Sequence, residues 1–106
     1  MKMIMAVIRS EKLQTVKDAV AAIGVCGMTI THVTGRGSQM GLKFTNRVGE
    51  FIVDELEKTK IEIVTSDECV DAVVDAIVDS ACTGHPGDGR IFVLPVERSI
   101  RIRNGQ

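Results

Sequence analysis

The chain has 106 residues, 44% of them hydrophobic and 25% charged, with thirteen basic side chains against fourteen acidic ones. That size fits one domain and leaves no room for a second. The near balance of charge excludes a global field that would draw the protein to nucleic acid or to an anionic membrane, and the absence of Trp and Tyr removes most platforms for base stacking.

The segments read as follows from the N-terminus. Lys2–Arg9 is apolar almost without a break and predicts a buried strand. Ser10 is placed as the N-cap of a helix running to about Ile23, whose stripe is Leu13, Val16, Val20 and Ile23. Gly24 stands where a helix C′ glycine belongs. Met28–Gly35, rich in Thr, Ile and Val, predicts a second strand. Residues 36–57 fit no clean period and read as a long loop without regular structure. Lys58–Thr65 returns to strand. Thr65-Ser66-Asp67-Glu68 carries a capping-box spacing, and a second helix follows to about Ser80 with a stripe of Val70, Val73, Val74, Ile77 and Ala81. A glycine-rich loop then leads into a last strand, Ile91–Val96.

The order β-α-β, long loop, β-α-β predicts an α+β, ferredoxin-like βαββαβ sandwich, one four-stranded sheet with both helices on one face. The other face would be bare. Met3, Met5, Ile30, Ile63 and Val93 exceed what two helices can cover, so a homo-oligomer is expected. No apolar run approaches membrane-span length, and MKMIMAVIRSEK has no small-residue cleavage site, which together predict a cytoplasmic protein without direct membrane insertion. Cys26, Cys69 and Cys82 are odd in number, lack C-x-x-C spacing and form no metal pattern with His32 and His85. They read as small buried hydrophobes in a reduced compartment.

Two stretches point to anion chemistry. Gly87-Asp88-Gly89-Arg90 can turn backbone N–H groups toward one point, a nest that attracts phosphate oxygens, while Arg90 adds a charge-assisted fork. Taken alone, the same residues are a helix stop and a tight turn. Arg98, Arg101 and Arg103 crowd the C-terminus, with Arg101 and Arg103 at strand spacing on either side of Ile102. Two guanidinium groups so placed suit a polyphosphate, or form a solvated basic tail. The long loop, with Arg36, Gln39, Lys43, Asn46, Arg47, Glu50 and Asp54, is either a recognition loop or a linker. His85 has no carboxylate partner in its motif and reads as solvent-facing.

The whole chain resembles the nitrogen-regulatory PII signal-transduction family. The residues that carry the resemblance are Thr83-Gly84-His85-Pro86-Gly87-Asp88-Gly89-Arg90-Ile91-Phe92-Val93, Gly27-Met28-Thr29, Gly35-Arg36-Gly37-Ser38-Gln39, Val53-Asp54-Glu55-Leu56, Lys58-Thr59-Lys60-Ile61-Glu62-Ile63-Val64 and Ile100-Arg101-Ile102-Arg103. It implies a homotrimer of single PII-like domains (1–106), with a T-loop at 36–57, a glycine-rich B-loop at 82–90 and a C-terminal segment at 97–106. It implies ATP or ADP in the clefts between subunits. Adenine would lie near Thr29, Glu62 and Val64. The phosphates would meet Gly35, Gly37, Ser38, Gln39, Gly87, Asp88, Gly89 and Arg90, with Arg101 and Arg103 reaching from the neighbour. In relatives that sense 2-oxoglutarate, a Mg²⁺–ATP complex recruits the acid. Gln39 would help hold the Mg²⁺, and Gln39, Gly41 and Lys58 the acid. The T-loop, through Lys43, Phe44, Asn46, Arg47, Glu50 and Phe51, would dock on a target, a membrane transporter or a metabolic enzyme.

The departures from the family pattern are specific. Its modified tyrosines fall on Asn46 and Phe51, so tyrosine uridylylation or adenylylation is excluded, and the serine some relatives phosphorylate falls on Gly49. Glu57 stands before Lys58 where a proline is usual, which would put a negative charge near the acid site. Two sensors therefore stay open, one reading ATP against ADP together with 2-oxoglutarate and one reading adenylates alone. No catalytic constellation is present, so the chain reads as a regulator rather than an enzyme, with slow ATP hydrolysis left open. The competing classes are a ferredoxin-like structural trimer and a small enzyme without nucleotide sensing.

Overall fold

The structure is a computed structural model that describes residues 1–35, 42–46, 49–53 and 56–106, the two short inner segments by their backbone alone. In chain order it contains β1 (Lys2–Arg9), α1 (Leu13–Ala22), β2 (Thr29–Gly35), β3 (Leu42–Asn46), β4 (Gly49–Val53), β5 (Leu56–Thr65), α2 (Val70–Ala81) and β6 (Gly89–Pro95). Four strands form one sheet in the order β2-β5-β1-β6, every neighbouring pair antiparallel. β1 and β2 therefore run parallel with β5 between them, and β5 and β6 run parallel with β1 between them. This is the split βαβ arrangement of the ferredoxin-like sandwich.

Period-2 alternation decides which side chains enter the core. Ile4, Ala6 and Ile8 of β1 and Thr59, Ile61 and Ile63 of β5 are buried and meet Val16 and Val20 of α1 and Val73, Ile77 and Ala81 of α2. Full burial of each Val or Ile stabilises the fold by about 1.5–3 kcal/mol relative to exposure. Thr59 is the buried polar member, and its Oγ1 donates to Ser10 Oγ at 3.0 Å. Both helices thus seat on the two middle strands, while β2 and β6 contribute no fully buried side chain.

The expected bare face needs correction. Residues paired across strands share a face, and the register sets Ile4 beside Ile63 and Val93, and Ala6 beside Ile61, which pairs with Ile30. Ile30, Ile63 and Val93 therefore lie on the helix side. Ile63 is in the core, whereas Ile30 and Val93 are exposed because they sit on the outer strands beyond the helices. The apolar residues of the open face are Met3, Met5, Val7, Val33, Leu56, Val64, Phe92 and Leu94, with Lys58, Lys60 and Glu62 among them.

Three further expectations change. Ser10 and the Thr65–Glu68 box make no side-chain cap: Ser10–Lys12 and Asp67–Cys69 are 3₁₀ turns, and the helices begin after them. Ser10 Oγ serves Thr59 instead, and Asp67 accepts the Met1 ammonium at 2.7 Å, which holds its carboxyl below the usual range. The cysteines are all exposed, not buried, since Cys26 lies in the connection before β2 and Cys69 and Cys82 flank α2, off the core stripes. Residues 36–57 are not structureless: β3 and β4 pair as an antiparallel hairpin, Phe44 opposite Phe51, and β5 starts at Leu56. Arg47-Val48, between β3 and β4, has none of the Asn-Gly chemistry that announces a two-residue hairpin turn.

Gly24 does close α1 as expected. At φ 91° it lets its N–H reach Ala21 O at 3.0 Å and the Val25 N–H reach Val20 O at 3.2 Å, the paired bonds of a Schellman stop.

Candidate functional site

The loop between α2 and β6 is wound around one of its own carboxylates. Asp88 Oδ2 accepts the N–H of Thr83 at 2.8 Å and of Gly84 at 2.9 Å, and Oδ1 accepts the Thr83 hydroxyl. From outside the loop, Arg9 Nε donates to Asp88 Oδ1 at 3.0 Å and Arg9 Nη2 donates to the Pro86 carbonyl at 2.8 Å. These donors, Thr83 first, hold the Asp88 carboxyl far below the ordinary carboxylate range. The N–H groups that converge are those of Thr83 and Gly84, not of Gly87-Asp88-Gly89-Arg90, and Asp88 occupies them. Asp88 shapes the loop from within and has no donor-starved oxygen to turn outward.

Two of the glycines have a defined task. Gly89 has φ 110°, and a Cβ on it would lie 1.7 Å from the Val7 carbonyl oxygen, so the loop meets β1 with no space for a side chain. Gly87, at φ 95°, presents its carbonyl to Lys58 Nζ. Lys58 and Arg9 face each other across the β1–β5 pair, on the open side of the sheet. Burial and then the Arg9 charge lower the Lys58 pKa, opposed by Glu11 and Asp88. Two adjacent cations therefore pin the loop at Pro86, Gly87 and Asp88, and the anion among them offsets their mutual repulsion.

Glu57 does not crowd Lys58. It pairs with Thr34 and points to the helix side, while Lys58 points to the open side, as successive strand residues must. Gly35, at the end of β2, packs against Lys58: a Cβ there would stand 3.5 Å from Lys58 Cγ.

The remaining sequence-named residues fall into separate groups. Thr29 pairs with Glu62 across β2 and β5, and Val64 follows on the same face. Lys60 Nζ lies 3.9 Å from Glu62 Oε1. Gly89 and Arg90 lie on β6, at the opposite edge of the sheet. Three strand spacings, about 14 Å, separate β2 from β6. Arg101 and Arg103 are exposed on the C-terminal segment, whose internal bonds are local: Arg101 N–H to Gln106 O at 3.0 Å and Gly105 N–H to Arg101 O at 2.8 Å. Among the described residues, Arg90, Arg101 and Arg103 make no salt bridge.

Lys43, Phe44, Asn46, Glu50 and Phe51 sit on the β3–β4 hairpin, whose register puts Leu42, Phe44, Phe51 and Val53 at positions of one face. Gly37, Ser38, Gln39, Gly41 and Arg47 lie outside the described residues. His85 is exposed, as expected, and its N–H donates to Thr83 Oγ1 at 3.2 Å.

Sequence reading missed Arg9 altogether, because nothing local to β1 marks an arginine that acts 79 residues away. The strut formed by Asp88 had a visible signal: an aspartate among Thr, Gly and Pro is a residue that bonds nearby backbone N–H groups.

Comparison with known proteins gives one family. The family model described as "Nitrogen regulatory protein P-II" matches residues 1–106. The chain is 53% identical over 106 residues to nitrogen regulatory protein P-II 2 of Methanothermobacter thermautotrophicus, covering 100% of this chain and 92% of that protein. It is 48% identical over 105 residues to nitrogen regulatory protein GlnK2 of Haloferax mediterranei, covering 99% and 85%. To nitrogen regulatory protein P-II 1 of Escherichia coli K12 it is 50% identical over 106 residues, covering 100% and 95%.

Proposed function

The chain belongs to the nitrogen regulatory protein P-II family, and from that premise we propose that it is a homotrimeric adenylate sensor. It binds ATP and ADP between subunits and controls a transporter or a metabolic enzyme through residues 36–57. The protein is a PII-type regulator, and its relatives are named as regulators rather than enzymes. Its place of work on this reading is the cytoplasm. Among the described residues no helix is long and apolar enough to cross a membrane.

One observation carries the nucleotide site. The candidate residues divide into three groups, with Thr29, Glu62 and Val64 on β2 and β5, Gly87, Gly89 and Arg90 on the loop and the β6 edge, and Arg101 and Arg103 on the exposed arm. No single chain gathers them about one point. A ring of identical subunits does, because a heterologous contact brings one edge of a sheet against a different surface of its neighbour. The open sheet face supports the same assembly, since Met3, Met5, Val64, Phe92 and Leu94 are an apolar surface that no helix covers among the described residues.

The residues present fit a nucleoside polyphosphate. Arg90 is a cation at the loop exit, and the bonds of Thr83 and Gly84 to Asp88 define the loop's shape. Gly87, Gly89 and Arg90 would hold phosphate, Arg101 and Arg103 would close on it from the neighbour, and Thr29, Glu62 and Val64 would bound the base. Bound Mg²⁺–ATP would offer positions on the metal to the oxygens of a small dicarboxylate. Lys58 is this chain's cation for that acid. Its ammonium gives one of its three donors to the Gly87 carbonyl and would keep the others for the acid. Ligand then acts by population shift: it moves the 36–57 segment only as far as its affinities for the segment's states differ.

The experiment is calorimetric titration of ATP, ADP and AMP into the purified protein, each with and without Mg²⁺ and 2-oxoglutarate. Adenylate sensing requires saturable ATP and ADP binding with one site per subunit of a trimer. Absence of binding by all three nucleotides at millimolar concentration would leave a trimer with a structural role only.

A further inference from the structure

We propose that Arg9, acting through the carboxylate of Asp88, is the positioning residue that holds the glycine loop in its ligand-ready shape; the inference rests on the adenylate reading given above. Neither the sequence motifs nor the family resemblance put Arg9 in the site.

The loop cannot hold this shape by backbone preference. Gly84, Gly87 and Gly89 all have positive φ, at 83°, 95° and 110°, and each glycine adds conformations that ordering must remove. What selects one conformation is a chain of bonds that starts on the sheet. Arg9 is the last residue of β1, and its side chain is partly buried beside Asp88. Its guanidinium uses two edges of the fork, one on Asp88 Oδ1 at 3.0 Å and one on the Pro86 carbonyl at 2.8 Å. Asp88 relays that anchor to the N–H groups of Thr83 and Gly84 at 2.8 and 2.9 Å. The start and the end of the loop are thereby tied to each other and to β1.

The charge matters as much as the geometry. A carboxylate inside a phosphate-binding loop repels the ligand unless a cation lies against it. Arg9 is that cation. Its Nε and Nη2 engage Asp88 and Pro86, and through them it acts on a phosphate by way of the loop. A lysine could supply the charge but not the two-pronged geometry.

The test uses the full-length protein and two readouts. Without nucleotide, Arg9→Met should speed amide hydrogen exchange at Thr83 and Gly84 by about tenfold or more, leaving the core amides of Val20 and Ile77 unchanged. With nucleotide, Arg9→Met and Asp88→Asn should each weaken ADP binding by about tenfold, and the double variant should lose little more, since both changes break one strut. Arg9→Lys should recover only part of the loss. Unchanged exchange at Thr83 and Gly84 in Arg9→Met overturns the proposal. So do losses that multiply in the double variant, which would make Arg9 a direct phosphate ligand. If the wild-type protein binds no adenylate, the sensor reading fails while the exchange measurement still decides whether Arg9 holds the loop.

Discussion

The glycine loop and the C-terminal arm both carry arginines suited to phosphate, yet they are built in opposite ways. The loop is bonded internally through Asp88 and externally to Arg9 and Lys58. Among the described residues the arm has only its own local turn, and Ile102 between the two arginines is fully exposed. On the proposed site, the contrast means that one half would be prepared within a subunit and the other half would be ordered by something outside it. Preorganisation is what lets a bond formed on binding appear as affinity instead of being spent on ordering. The loop has it, and the arm would obtain it from a neighbouring subunit.

The largest effect should come from disturbing the prepared half. Gly89→Ala puts a Cβ 1.7 Å from the Val7 carbonyl oxygen at a φ of 110°. Relief requires β6 to move off β1, so thermal unfolding at fixed protein concentration should show a loss of about 3 kcal/mol or more. A variant as stable as the wild type would mean that the loop is not packed against β1 as described.

The waiting half predicts a different pattern. Changing Arg101 and Arg103 together to alanine should leave unfolding and the exchange rates of Thr83 and Gly84 as they were, because neither side chain bonds the described part of the fold. ADP affinity should nonetheless fall by about a hundredfold, the worth of two charge-assisted contacts. Equal loss of stability and of affinity would erase the distinction between the two halves.

These two regions also mark what the sequence could tell. The glycines, Arg90 and the arm's arginines stood out in the sequence as candidates for phosphate, and the periodic stripes made both helices and the sheet legible. The partition of those residues between sheet edges was not legible, because it follows from β5 and β1 lying between β2 and β6, a matter of tertiary pairing. Cross-strand register likewise moved Ile30, Ile63 and Val93 to the helix side, which alternation alone cannot fix without knowing each strand's phase. Arg9 stayed hidden for the same reason: its role is defined by a contact with Asp88 made only after folding.

The smallest effect concerns pH. In the fold the Asp88 carboxyl lies below its unfolded value of about 3.9, so its ionised form contributes to stability above that value and loses the contribution only as pH falls toward the depressed native value. The amide resonances of Thr83 and Gly84 should therefore hold constant through pH 3.9, where an exposed aspartate is half protonated. Movement of both signals around that pH would show that the loop does not grip its carboxylate.

Subunit complementation tests the central claim most directly. A chain carrying Arg90→Ala and a chain carrying Arg101→Ala with Arg103→Ala are coexpressed, and the mixed oligomers are titrated with ADP. If one site draws its loop from one subunit and its arm from the next, each mixed trimer regains a site of wild-type affinity, although neither parent has any. Mixed oligomers that bind ADP no better than the two parents would contradict a site shared between subunits.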